Sequence, residues 1–164
     1  MTTPPPSGGT VGRATQSPRL LAAWALLGYV ALVLFFEFFD WILPDGGTFS
    51  GRTILSDFVT IETITMPVLA VLLAAHVAPV LPMARTMALV ALVEYAIILF
   101  FGLMTLLIGL GSVFDGVEEA NDAFDALAYL VLGLARLALA AIAALVVQRT
   151  FASMPAGHGT PPRT

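Results

Sequence analysis

Four apolar runs separate the polar stretches of this chain: about Leu20 to Leu43, Phe58 to Leu81, Met87 to Leu110 and Ala123 to Val147. Each is roughly 24 residues, or about 36 Å of helix at 1.5 Å per residue, enough to cross a hydrocarbon core of about 30 Å with some tilt. None alternates apolar with polar residues, as a transmembrane barrel strand would. The pattern predicts an all-α membrane protein, an antiparallel four-helix transmembrane bundle over residues 19–149 with helices at 20–43, 58–81, 87–110 and 123–147. The flanking segments 1–18 and 150–164 are rich in Pro, Gly and Thr and cannot bury enough apolar surface to offset the cost of ordering, so they are read as disordered cytoplasmic tails. The first run is too long for a signal-peptide core, and Pro44-Asp45-Gly46-Gly47 after it offers no small-x-small cleavage pattern, so it is read as a retained helix.

Composition supports the membrane reading. The 164 residues are 59% hydrophobic and 11% charged, against about 25% charged in soluble domains. A net charge of -4 argues against a nucleic-acid partner, which needs a concentrated basic face. The absence of Cys excludes disulfides, thiolate metal sites and thiol redox chemistry. All seven basic residues are Arg. Arg13, Arg19, Arg85, Arg149 and Arg163 fall on one side of the four-helix topology and Arg52 on the other, which places both termini in the cytoplasm by the positive-inside rule.

That leaves Arg136, which with Glu94 lies deep inside the apolar runs, where each charge costs about 2.5 to 3.5 kcal/mol on insertion scales. Counted from Arg149 and Arg85, taken as level, their depths differ by about 5 Å, so an ion pair between helices three and four is geometrically available. Two readings stay open: a staple that fixes how the two helices dock, or a polar site for a proton, an ion or an anionic headgroup. Helical spacing groups Met87, Ala91, Ile98 and Thr105 with Glu94, and Asp125, Tyr129 and Ala140 with Arg136.

A second acidic group gathers toward the outer leaflet. Glu37 and Asp40 share a face of helix one, and Glu62 enters helix two. If those helices are neighbours, the three form either an acidic vestibule supporting proton exchange or interfacial acids reaching to water, with Trp41 and Phe49 as interfacial aromatics. His76 reads as interfacial, and with no second His near it no zinc site is expected. The acidic stretch 115–122 lacks the order of a calcium loop and is better read as capping helix four through Asn121 or Asp122. Phosphate-binding, dinucleotide-binding and nucleophile-elbow motifs are missing. Pro67 lies inside helix two, where it removes a donor and is expected to bend the helix, and the small residues Gly102, Gly109, Ala140 and Ala144 suit close helix packing.

In its Arg-only basic residues and its Pro/Gly/Thr-rich N-terminal tail, the chain resembles the small, uncharacterised four-helix membrane proteins of high-GC Gram-positive bacteria. The resemblance implies a place in the bacterial cytoplasmic membrane and carries over no functional residue. Small multidrug-resistance transporters share the helix number and an embedded acid, but they place that acid in helix one, whereas Glu94 is in helix three. The expected function is a non-enzymatic integral membrane protein in a structural or accessory role. The alternative is a small proton- or ion-coupled transporter or channel using Glu94 and Arg136. The expected partners are the lipid bilayer and either a second copy of the chain or another membrane protein, and no cofactor is expected.

Overall fold

Thr60 sets where the second helix begins. Its backbone is extended, its hydroxyl accepts from the Thr63 N–H at 3.1 Å, and the Thr63 hydroxyl accepts in return from the Thr60 N–H at 3.0 Å. This reciprocal cap satisfies two of the donors that a helix start leaves unpaired. In the computed structural model, which describes residues 9–43, 53, 57–77, 81, 83–115 and 120–154, the helices are α1 (Gly9–Ile42), α2 (Ile61–Ala75), α3 (Ala84–Asp115) and α4 (Ala120–Ser153). No strand occurs among the described residues. The side chains of 9–17, 112, 115, 120 and 121 also lie outside the description, as do the expected tail segments 1–8 and 155–164, Arg52, Phe49 and residues 116–119 of the acidic stretch.

Three of the helices hold apolar stretches long enough to cross a membrane: Pro18–Ile42, Ala84–Gly111 and Asp122–Ser153, of 25, 28 and 32 residues. The second does not. At 15 residues α2 covers about 22 Å, short of the expected helix over 58–81. Beyond Ala75 the His76 N–H still donates to Leu72 O, but Leu81 N–H then turns back onto Ala74 O and Ala84 N–H onto Leu81 O, which leads directly into α3. The Arg19 guanidinium closes the same end by donating to Leu73 O at 2.6 Å and Val77 O at 2.5 Å. These are carbonyls of the kind a helix end leaves unsatisfied. The outer helices differ from expectation in the other sense. The first begins at Gly9 rather than near residue 20, and the last continues to Ser153.

The largest contacts are α1 with α2 and α3 with α4, and α2 also packs on α3 and α4. Tyr29 donates to Glu62, and the Asp57 N–H donates to Glu37. Arg19 therefore sets the earlier part of α1 against the end of α2, and Tyr29 and Glu37 set its later part against the entry to α2. Between α3 and α4, Gly102 faces Leu137, Leu106 faces Gly133 and Gly109 faces Tyr129. The core runs through Leu27, Val30, Phe58, Val71, Met87 and Ile98, each almost wholly buried. Phe58 stacks on Phe101 with ring centroids 5.1 Å apart. The outer faces carry large apolar side chains such as Leu32, Phe36, Val93, Phe100 and Ile142, each more than half exposed. Such a surface, together with three long apolar helices, suggests association with a membrane.

Tyr95 ties α3 to α2. It is buried, and its hydroxyl donates to the Ile64 carbonyl. Tyr95→Phe removes one hydrogen bond with little change of shape, at an expected cost of about 0.5 to 1.5 kcal/mol. Thermal unfolding of the detergent-solubilised chain checks this, and an unchanged melting temperature would show that the bond contributes nothing.

Candidate functional site

Two residues of each helical turn bring α1 and α3 face to face. Ala31, Leu34, Phe35 and Phe38 lie on one stripe of α1, and Val90, Glu94, Ile97 and Phe101 on one stripe of α3. With Val93 they line a cavity of about 390 Å³ in which Glu94 is the one ionisable side chain. Glu94 is 4% exposed, and neither carboxyl oxygen has a hydrogen-bond partner. Buried polar atoms are almost always paired, so an orphaned carboxyl calls for a reason other than packing. The face expected around Glu94 divides differently. Met87, Ala91 and Ile98 are buried in the core, while the stripe of Val90, Ile97 and Phe101 opens on the cavity.

Arg136 is elsewhere. It lines a second cavity of about 260 Å³ bounded by α3, α4 and the chain just before α2, with Thr53, Asp57, Thr105 and Tyr129 among its walls. The expected pairing with Glu94 is not formed, because both oxygens of Glu94 are unpartnered. The reason is register. Counting depth from Arg85 and Arg149 treats those two as level, but the Arg85 guanidinium lies over the Phe151 ring, 4.9 Å from its centroid. With Leu137 against Gly102 and Gly133 against Leu106, Arg136 stands level with Leu103, nine residues beyond Glu94. That is about 13 Å along the axis rather than about 5 Å.

The outer acids also separate, although α1 and α2 are neighbours. Glu62 accepts from the Tyr29 hydroxyl at 2.9 Å, and Glu37 accepts from the Asp57 N–H at 3.1 Å. Tyr29 and Glu37 are eight residues apart on α1, about 12 Å along its axis, and Glu62 and Glu37 take separate donors, the Tyr29 hydroxyl and the Asp57 N–H. Asp40 is exposed. Trp41 is half-buried, with its indole N–H donating to Thr53 at 3.2 Å and its ring edge-on to Phe101 at 5.7 Å. Thr65 and Thr105 bond the carbonyls of Ile61 and Gly102 on their own helices, the usual use of a hydroxyl inside an apolar helix. His76 is exposed at the end of α2. Among the described residues no group of three or more His, Asp or Glu side chains converges to hold a metal.

Thr53 and Asp57 are the members of the second cavity that lie between the helices expected at 20–43 and 58–81. Nothing in their neighbours signals that the chain folds inward there, since Phe58 stacking on Phe101 is a long-range contact.

No protein-family model, no curated protein and no solved structure matches this chain. Fold and site together define a class and nothing narrower: an all-helical protein, over the described residues, with three helices long and apolar enough to span a membrane, and with ionisable side chains lining two cavities.

Proposed function

We propose that the chain is a non-enzymatic, multi-pass integral protein of the bacterial cytoplasmic membrane, acting as a small proton- or ion-coupled carrier whose exchanging group is Glu94. The observation that carries the reading is the orphaned carboxyl of Glu94 on the wall of a cavity. A staple would have shown it bonded to its partner. The assembly is an antiparallel four-helix bundle with both termini cytoplasmic. Four crossings need α2 to return the chain, and the contacts of Arg19 with the end of α2 and of Glu37 with Asp57 support that path. The distribution of Arg supports the orientation.

The test is proton-linked flux in proteoliposomes carrying an imposed pH gradient, read with an entrapped pH dye. Wild-type vesicles should equilibrate at least about tenfold faster than vesicles with Glu94→Gln, a change that keeps the shape of the side chain and removes the exchangeable proton. Equal rates from a folded Glu94→Gln protein would sink the carrier reading.

One observation favours an accessory role as a second reading. Leu127, Val131, Leu134, Ile142 and Leu145 form an apolar stripe on α4, each more than half exposed, a face as well suited to a second copy or another membrane protein as to lipid. A monomeric mass in lipid nanodiscs, with no co-purifying chain, would count against it.

A further inference from the structure

The cavity at Arg136 has the composition of a ligand site, and it shares no lining residue with the cavity at Glu94. Arg136 lies near the middle of the span Asp122–Ser153, where an uncompensated guanidinium is costly and marks a functional position by default. Asp57 lies on the same cavity, and its main-chain N–H is anchored on Glu37 at 3.1 Å. Arg136 and Asp57 line this cavity of about 260 Å³ together and, among the described residues, make no salt bridge with each other. A guanidinium and a carboxylate on the walls of one cavity, not bonded to each other, can each take a ligand group of the opposite charge.

The remaining walls narrow what that is. The Thr105 hydroxyl gives its proton to Gly102 O at 3.1 Å and the Tyr129 hydroxyl gives its own to Thr105 O at 3.3 Å. Both oxygens keep lone pairs for a donor in the cavity. Val59, Leu106, Leu132 and Leu137 supply apolar surface. The glycines let the walls pack closely, since a Cβ at Gly133 would run into Leu106 and one at Gly102 into Val59. The segment before α2 brings the Val59 side chain against Gly102, which lies inside the span Ala84–Gly111.

We propose that this cavity binds a compact amphipathic zwitterion, a molecule with one carboxylate and one ammonium group on a short aliphatic skeleton, of which an aliphatic α-amino acid is the simplest. The carboxylate meets the Arg136 guanidinium, which can hold it through two parallel bonds. The ammonium meets Asp57 with the hydroxyl oxygens of Thr105 and Tyr129, and the aliphatic part lies on the leucines. A plain anion would face Asp57 and a plain cation would face Arg136, so each one-charge molecule leaves an opposing charge unpaired.

The test is calorimetric binding, with thermal stabilisation, of the full chain in detergent. The probes are leucine, isocaproate (leucine without its amino group), isopentylamine (leucine without its carboxylate) and phosphoethanolamine, which stands for a zwitterionic lipid headgroup. Leucine should bind and raise the melting temperature. Each one-charge analogue should bind at least about tenfold more weakly, the loss expected when one of two charge-assisted contacts is removed. Arg136→Gln and Asp57→Asn should each weaken leucine by a similar factor. Asp57 is exposed and outside the helices, so its variant keeps the test available should Arg136→Gln fail to fold. Isocaproate binding as well as leucine would overturn the proposal in favour of a simple anion site. Phosphoethanolamine binding in place of leucine would assign the cavity to lipid, and a folded wild-type chain that binds none of the four would dismiss the site.

Discussion

Glu94→Met should melt several degrees above the wild-type chain. Met has the length of Glu and no hydrogen-bonding demand, and the site it would occupy is apolar on every side, with Phe35, Phe38, Val93 and Phe101 around it. A buried polar group left without a partner costs about 1 to 3 kcal/mol, and both oxygens of Glu94 are in that condition. Removing the carboxyl recovers that cost, and the same substitution should abolish proton-linked flux. Gain of stability with loss of activity is the signature of a group retained for function at the expense of the fold. A lower melting temperature would mean that Glu94 stabilises the bundle and that the carrier reading starts from a false premise. Detergent-solubilised unfolding followed by circular dichroism, beside the flux assay on the same preparation, measures both halves.

The second large effect is steric and in the opposite direction. Gly102→Leu should lower stability by about 1 to 3 kcal/mol or more, the range for forcing extra atoms into a packed interior. A Cβ there would collide with the side chain of Val59 and press on Leu137. Val59 is β-branched, with little rotamer freedom to give way, and it sits one residue before the Thr60 cap. The wedge would therefore push the entry of α2 away from α3 while parting α3 from α4. The matched control is Gly111→Leu, on the same helix, where a Cβ would meet nothing within 4 Å. Its melting temperature should stay close to the wild-type value. Similar destabilisation by both substitutions would place the cost in the leucine itself and not in the contact at Gly102.

The legible part of this fold was the part governed by local composition. Three long apolar runs produce three long helices because nothing along Pro18–Ile42, Ala84–Gly111 or Asp122–Ser153 interrupts them strongly enough to end a helix. The bounds of α2 were less legible. Its run is apolar from Phe58 to Leu81, and what shortens it is the exchange between Thr60 and Thr63 at one end and the turn of Leu81 onto Ala74 at the other. The first is a cap without the Glu or Gln that usually announces one, and the second is a contact across the end of the helix.

Among the functional residues, Glu94 and Arg136 stood out because charge inside an apolar run is visible without a structure. Their relation was not visible. It depends on the vertical register of α3 against α4, which small residues set through Gly102, Gly109 and Gly133, and a slip of a few residues separates a pair from two independent sites. Tyr129 and Thr105 were seen as polar positions on separate faces. Only the packing of α3 on α4 brings them to one cavity with Arg136, and only the inward fold before α2 adds Asp57.

The separation of Glu94 from Arg136 is the central claim, and a double-mutant cycle on thermal stability tests it most directly. Glu94→Gln, Arg136→Gln and the double substitution are compared with the wild-type chain in the same detergent. Independent sites predict effects that add within about 0.3 to 0.5 kcal/mol. A coupling above about 1 kcal/mol, with the double variant recovering what each single one loses, would contradict the account and restore the ion pair as a structural staple.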